Sequence, residues 1–104
     1  MLDGLYVVTF KTPLGEGAGV VSLRGNSFVG GDSAMIYRGK VSQSGIDIEA
    51  TVSVARHTQG MASVLGVDNA SLTMKGAGDD TRARLSGGTH GVTLEVELRR
   101  AGDL

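Results

Sequence analysis

Hydrophobic and polar residues alternate most regularly in two segments of the chain, 46–56 and 92–99. In the first, every second residue from Ile46 to Val54 is apolar, and the residues between them are polar. In the second, every second residue from Val92 to Leu98 is apolar. A period of two is typical of a β-strand with one face against a core and the other in water. The pattern therefore predicts two half-buried strands.

The segment 2–12 also alternates, but both of its faces carry apolar residues. Tyr6, Val8 and Phe10 lie on one face, and Leu5 and Val7 lie on the other. A strand with two apolar faces is typical of burial on both sides. Only one face of this strand can point into a barrel, so we expect Leu5 and Val7 to cover a second subunit in a homodimer.

Shorter stretches predict the remaining strands, which lie at 20–24, 28–29, 37–41, 72–74 and 81–85. Glycine-rich stretches separate them, and we predict turns or breaks at 15–19, 24–27, 30–31, 43–45 and 76–80. The longest connection is 57–69. Its apolar residues predict a loop or a single helical turn that caps one end of the fold, namely Met61, Val64, Leu65 and Val67.

Eight short strands with turn-sized connections favour an all-β fold, an antiparallel eight-stranded up-and-down barrel formed by a single domain over 1–104. A barrel of this size can be filled by side chains or can hold one small ligand. Aromatic residues make up only 4% of the chain, and Trp is absent. An incompletely filled interior is therefore a second hypothesis, with a small apolar ligand held among Tyr6, Val8, Phe10, Met35 and Tyr37.

Composition argues against several functional classes. The chain has no cysteine, so thiol chemistry and sulfur-ligated metals are excluded. Ten basic and eleven acidic side chains are spread without blocks, which does not favour direct contact with nucleic acid or an anionic membrane. No apolar run approaches the length of a membrane span, and no secretion signal is evident. We expect a cytoplasmic protein.

No set of residues indicates a reaction or a bound cofactor. His57 and His90 are the only histidines, and neither has the spacing to acidic residues that a metal site or a general base requires. The glycines of 15–19 precede a predicted strand, whereas a phosphate-binding loop precedes a helix. The pair Asp79 and Asp80 fits a polar hairpin tip. We therefore expect a protein that is not an enzyme.

Asp32 differs from the other acidic residues because it follows Gly30 and Gly31. An aspartate in this position can accept hydrogen bonds from the backbone N–H groups of its own turn. The sequence favours this structural role for Gly30, Gly31 and Asp32 over contact with a ligand.

Several of these motifs, taken together, resemble the GrlR family of negative regulators of type III secretion genes. The resemblance covers essentially the whole chain, is strongest from Asp3 to Met74 and is weak after Gly76. It is carried by Gly4-Leu5-Tyr6 with Phe10, Gly15-Glu16-Gly17, Gly30-Gly31-Asp32 with Tyr37 and Gly39, and Ser63-Val64-Leu65-Gly66. These are mainly glycines and strand residues, which specify a fold better than an activity.

The resemblance implies a lipocalin-like barrel that dimerises and binds a transcriptional activator, keeping that activator from DNA. The family's founding repressor has an acidic run in the hairpin before its fifth strand. The matching hairpin here contains Gln43, Ser44 and Asp47, with a single acid. If acidic contacts select the activator, this chain binds a different partner or none.

Overall fold

The computed structural model describes residues 1–60, 65–89 and 91–104, and these form a closed antiparallel barrel. Each strand pairs with the next along the chain, and the last pairs with the first. Within the described ranges the eight strands are β1 (Gly4–Thr12), β2 (Gly15–Arg24), β3 (Ser27–Gly31), β4 (Met35–Ser44), β5 (Asp47–Arg56), β6 (Asn69–Gly78), β7 (Arg82–Thr89) and β8 (Val92–Gly102). The predicted all-β, eight-stranded up-and-down barrel is confirmed.

The alternation of β5 and β8 corresponds to the inside and outside of the barrel. Ile48, Ala50 and Val54 of β5 are buried, as are Leu94 and Val96 of β8. Ile46 is the exception. It lies in the turn before β5 and is 70% exposed, so its predicted place on the core face is wrong. The alternation continues through Ile46 in the sequence, but the strand begins one residue later.

Several glycine-rich stretches predicted as turns belong to strands. Residues 15–19 form the first half of β2, and the preceding turn lies at Pro13 and Leu14. Gly30 and Gly31 end β3 and pair with β4. The predicted turns at 43–45 and 76–80 begin too early, because β4 extends through Ser44 and β6 through Gly78. The 24–27 turn is confirmed, with Gly25 at φ 61° in a two-residue connection.

Several of the glycines within strands lie where a neighbouring ring or backbone leaves no room for a side chain. The ring of Phe10 lies over Gly17, its cross-strand neighbour, so that a Cβ there would meet Phe10 Cε2 at 2.5 Å. Phe28 lies over its own cross-strand neighbour, Gly39, in the same way. Glycine covered by an aromatic ring from the next strand is a recognised device of curved sheets. The glycines therefore mark close approach inside strands as well as turns.

The two ends of the barrel are closed differently. At one end the N-terminal segment crosses the opening: Leu2 N donates to Asp80 O at 2.9 Å, and Met1 packs against the core. At the other end the residues that follow β5 lie on the β3–β4 turn, where His57 N donates to Ala34 O at 2.9 Å. Leu65, between β5 and β6, is buried in the core. Met61 and Val64, also predicted to cap this end, lie outside the described residues. Among the described residues no helix is long and apolar enough to cross a membrane.

Replacing Gly39 with alanine is expected to lower the free energy of unfolding by about 1–3 kcal/mol. The new Cβ would overlap the carbonyl oxygen of Thr51 and lie 2.7 Å from Phe28 Cζ. Gly102→Ala is the matched control in β8, where nothing lies within 4 Å of the position that a new Cβ would take, and its effect should stay within about 0.5 kcal/mol. Urea denaturation measures both variants, and equal stabilities would contradict the close packing at Gly39.

Candidate functional site

The barrel encloses an apolar cavity of about 270 Å³ to which all eight strands contribute. This is close to the lower end of the range for small-molecule sites, roughly 300–1,000 Å³. It exceeds the roughly 150 Å³ of an engineered apolar cavity that binds benzene. The five residues predicted to surround a ligand all line it, namely Tyr6, Val8, Phe10, Met35 and Tyr37.

Aromatic rings and glycines together shape one side of this cavity. Phe10 and Tyr37 meet edge to face, with ring centroids 5.9 Å apart and planes at 83°. The Tyr37 ring passes so close to Gly19 that a Cβ there would lie 3.1 Å from Tyr37 Cε2. Edge-to-face pairs of this kind hold both rings in fixed orientations. The glycines of β2 leave the space that these rings occupy.

Asp32 holds the β3–β4 turn together and also lines the cavity. Its Oδ1 accepts hydrogen bonds from the backbone nitrogens of Ala34 and Met35, both at 2.8 Å. Its Oδ2 accepts a hydrogen bond from the hydroxyl of Tyr37. The carboxylate thus makes the turn contacts expected from the sequence. Its place among the lining residues brings it to the cavity as well.

Both tyrosine hydroxyls are withdrawn from water. Burial raises the pKa of Tyr37 far above its ordinary value, and the hydrogen bond to Asp32 adds to this effect. Burial also raises the pKa of Tyr6, whose hydroxyl donates to the carbonyl oxygens of Leu2 and Asp80 at 2.5 and 3.1 Å. Removing a phenol from water disfavours its charged form. The two hydroxyls therefore act as neutral donors inside the barrel.

The other polar residues singled out in the sequence make structural contacts. The His57 ring lies 2.8 Å from the carbonyl oxygen of Asp32 and is exposed. Asp79 caps its own hairpin, and the backbone N–H of Thr81 is the main cause of its lowered pKa. Within the described ranges no three His, Cys, Asp or Glu residues come together as a metal site would require. His90 lies outside the described residues.

Apolar residues cluster on the outside of β1 to β4. Leu5 is 38% exposed, and Val7 is half-buried and pairs across the sheet with Val20, which is 46% exposed. Val29 and Ile36 continue the cluster on β3 and β4. We call this set the outer apolar face: Leu5, Val7, Val20, Val29 and Ile36. The sequence predicts only its first two members, since the others depend on strand pairings across the sheet.

The outside of the other strands is charged instead. Arg84 pairs with Glu97 at 3.1 Å, and Lys75 pairs with Glu49 at 3.9 Å. Exposed ion pairs of this kind contribute little to stability, but they keep the surface hydrated. Exposed charges also lie on β1, β2 and β4, at Lys11, Glu16, Arg38 and Lys40. The outer apolar face is therefore a patch on an otherwise polar and charged surface.

The β4–β5 hairpin exposes an apolar tip. Gln43 and Ser44 end β4, Ser44 pairs with Asp47, and Gly45 and Ile46 form the two-residue turn between them. Gly45 has a φ of 62°, and Gln43 Nε2 donates to its carbonyl oxygen at 3.1 Å. Ile46 projects at the tip, so the hairpin offers one apolar side chain beside one acid. The alternation of apolar residues in the sequence predicts Ile46 on the core face, so its position on the surface is not predicted.

No protein-family model matches the sequence, and a search of curated proteins also finds no match. The likeness to the GrlR family therefore remains a prediction from the motifs of this chain. Two residues of its last motif, Ser63 and Val64, lie outside the described residues. The other motif residues lie in the strands and turns given above.

The two tyrosines should resist ionisation until the barrel unfolds. Their pKa values are raised above the ordinary 10.0, so the unfolded chain releases protons first as the pH rises. Their contribution to stability is then fully present below about pH 10 and is lost above it. In an alkaline titration, tyrosinate absorbance should appear together with the loss of the far-ultraviolet strand signal. Tyrosinate absorbance from the folded protein near pH 10 would contradict this burial. In the Tyr37→Phe variant, only Tyr6 should ionise when the barrel unfolds.

Proposed function

We propose that the protein is a cytoplasmic, non-enzymatic regulator similar to the GrlR family, which acts by binding other proteins. The observation that carries this proposal is the outer apolar face on β1 to β4. Contiguous apolar residues on the outside of a protein often mark an interface. A second copy of the chain would cover this face, because a two-fold interface brings the same patch of both subunits together.

The β4–β5 hairpin is the proposed contact with a transcriptional activator of secretion genes. It carries Gln43, Ser44 and Asp47, the positions implied by the family resemblance, and it adds the exposed Ile46. Burying one such side chain in an interface contributes about 1.5–3 kcal/mol. The activator would be kept from DNA by occupation of its own surface, which does not require the barrel to touch nucleic acid.

Replacing Ile46 with serine should weaken binding to the activator by about tenfold or more. The side chain is exposed, so stability should change by less than about 0.5 kcal/mol. The activator would be identified by affinity capture from the native cell, then purified and titrated with the barrel in a DNA-binding assay. Leu14→Ser is the matched control, since Leu14 is also an exposed apolar residue at a hairpin tip but lies at the opposite end.

Two results would contradict the regulator proposal. One is repeated capture that returns no transcription factor or secretion component. The other is an activator that still binds DNA fully when the barrel is in excess. Light scattering on the same samples gives the stoichiometry, and a single-chain mass at micromolar concentration would contradict the dimer.

A second candidate function is the binding of a small apolar molecule, as a carrier or sensor. The cavity of about 270 Å³ supports it. Interiors of proteins are normally packed with few voids larger than a water molecule. An apolar space of this size is therefore unusual, and a bound small molecule would fill it. This candidate is compatible with the first, because a ligand inside and a protein outside use opposite faces of the strands.

Replacing Ala50 with leucine should abolish ligand binding while leaving the barrel folded. Ala50 is buried and lines the cavity, so the longer side chain would fill space that is otherwise open to a ligand. Filling a cavity commonly raises stability. Thr51→Leu is the control, because Thr51 is the next residue along β5 and is exposed on the outside. Native mass spectrometry before and after organic extraction, with titration of a fluorescent apolar probe, measures the effect.

The wild-type barrel purified from its own host should carry extra mass that extraction removes, and Ala50→Leu should not. Absence of both extra mass and probe binding in the wild type would contradict a ligand-binding role. Equal probe binding by the wild type and Ala50→Leu would place the probe outside the cavity.

A further inference from the structure

The charged side chains that line the cavity are acidic. Among the described residues that line it, the side chains able to carry charge are Asp32 and Glu16, and none is Lys, Arg or His. Glu16 is exposed and lies 3.8 Å from Lys11 Nζ in an ion pair on the outside of the barrel. Asp32 is half-buried in the β3–β4 turn. Met1 also lines the cavity, and its α-ammonium donates to Gln43 Oε1 at the opposite end of the barrel. At the β3–β4 end, the charge that a ligand would meet is therefore the Asp32 carboxylate.

Three hydrogen-bond donors near this carboxylate are already used, and the hydroxyl of Ser33, another lining residue, is a further donor beside it. The backbone N–H groups of Ala34 and Met35 donate to Asp32 Oδ1, and the Tyr37 hydroxyl donates to Oδ2. The Tyr6 hydroxyl donates to backbone carbonyl oxygens at the other end of the barrel. A carboxylate oxygen has more acceptor capacity than one bond consumes. This corner of the cavity can thus accept a further hydrogen bond.

We propose that the cavity selects apolar molecules whose polar end is a hydrogen-bond donor, an alcohol or an amine, and rejects fatty acids. This inference rests on the ligand-binding function proposed above. An ammonium or hydroxyl group can donate to Asp32, and an ammonium also gains from its charge. At this end of the cavity a ligand carboxylate would bring a second negative charge beside Asp32, and like charges at a partly buried site repel.

Three ligands with the same chain and different polar ends test this selectivity: decanol, decylamine and decanoate. Each would be titrated near neutral pH by displacement of a fluorescent apolar probe from the wild-type barrel. Decanol and decylamine should bind about tenfold more tightly than decanoate, or better. The common chain keeps the apolar contribution constant, so differences report the polar end.

Asp32→Asn tests whether this carboxylate is the cause. The asparagine oxygen can still accept from Ala34 and Met35, so the turn is retained while the charge is removed. Decanoate should then bind within about twofold of decanol. Glu16→Gln is the control and should leave the wild-type selectivity unchanged. Tyr37→Phe is a second variant that keeps the carboxylate, and it should still discriminate against decanoate; circular dichroism checks the fold of each variant.

The possible failures are distinguishable. If all three ligands bind the wild type equally, the selectivity is overturned and the ligand-binding function stands. If the probe binds but none of the three ligands displaces it, the selectivity is also overturned. If the wild type neither binds the probe nor carries extra mass, the ligand-binding function falls and this inference falls with it. If Asp32→Asn folds and still rejects decanoate, the assignment to Asp32 is overturned.

Discussion

Closure of the sheet by the pairing of β1 with β8 is the constraint on which the other features depend. Val8 pairs with Leu98 and Phe10 with Val96, which leaves no free strand edge between the first and last strands. Once the sheet is closed, a period of two along each strand becomes a division between one interior and one exterior. The cavity and the outer apolar face are thus two sides of the same strands, and a one-residue slip would exchange them.

The volume of the interior follows from how rings and glycines are distributed. Phe10 and Phe28 are large, but each lies over a glycine of the next strand, and the Tyr37 ring of β4 lies beside Gly19, two strands away in β2. A ring that lies against the barrel wall occupies less of its centre than one that points across it. Ala34, Ala50, Ala70 and Ala83 are small buried residues. A chain of 4% aromatic residues that also places its rings along the wall leaves space inside.

The barrel could be predicted from the sequence because the alternation of apolar and polar residues is a property of each strand by itself. Alternation over 46–56 and 92–99 depends only on which residues are apolar, and the structure confirms both strands. The sequence could not show that Gly15, Gly17 and Gly19 belong to a strand. A glycine in a turn and a glycine under the ring of another strand look alike in the sequence. Val20 and Ile36 joined Leu5 and Val7 only through cross-strand pairings. The five cavity residues could be predicted because they alternate along β1 and β4. The contact of Asp32 with Tyr37 could not, because it depends on the geometry of the β3–β4 turn.

Consecutive residues separate the cavity from the outer apolar face on each of the strands β1 to β4, for example Tyr6 with Val7 and Ile36 with Tyr37. Backbone hydrogen bonds on both sides hold these strands in register, so the strands themselves can shift little when the cavity is filled. The β3–β4 turn is held instead by the Asp32 carboxylate, which contacts the cavity residue Tyr37, and the carbonyl oxygen of Asp32 lies 2.8 Å from the His57 ring. A polar group that competes for this carboxylate would act on the turn and on the residues after β5 that contact it before it acted on any strand.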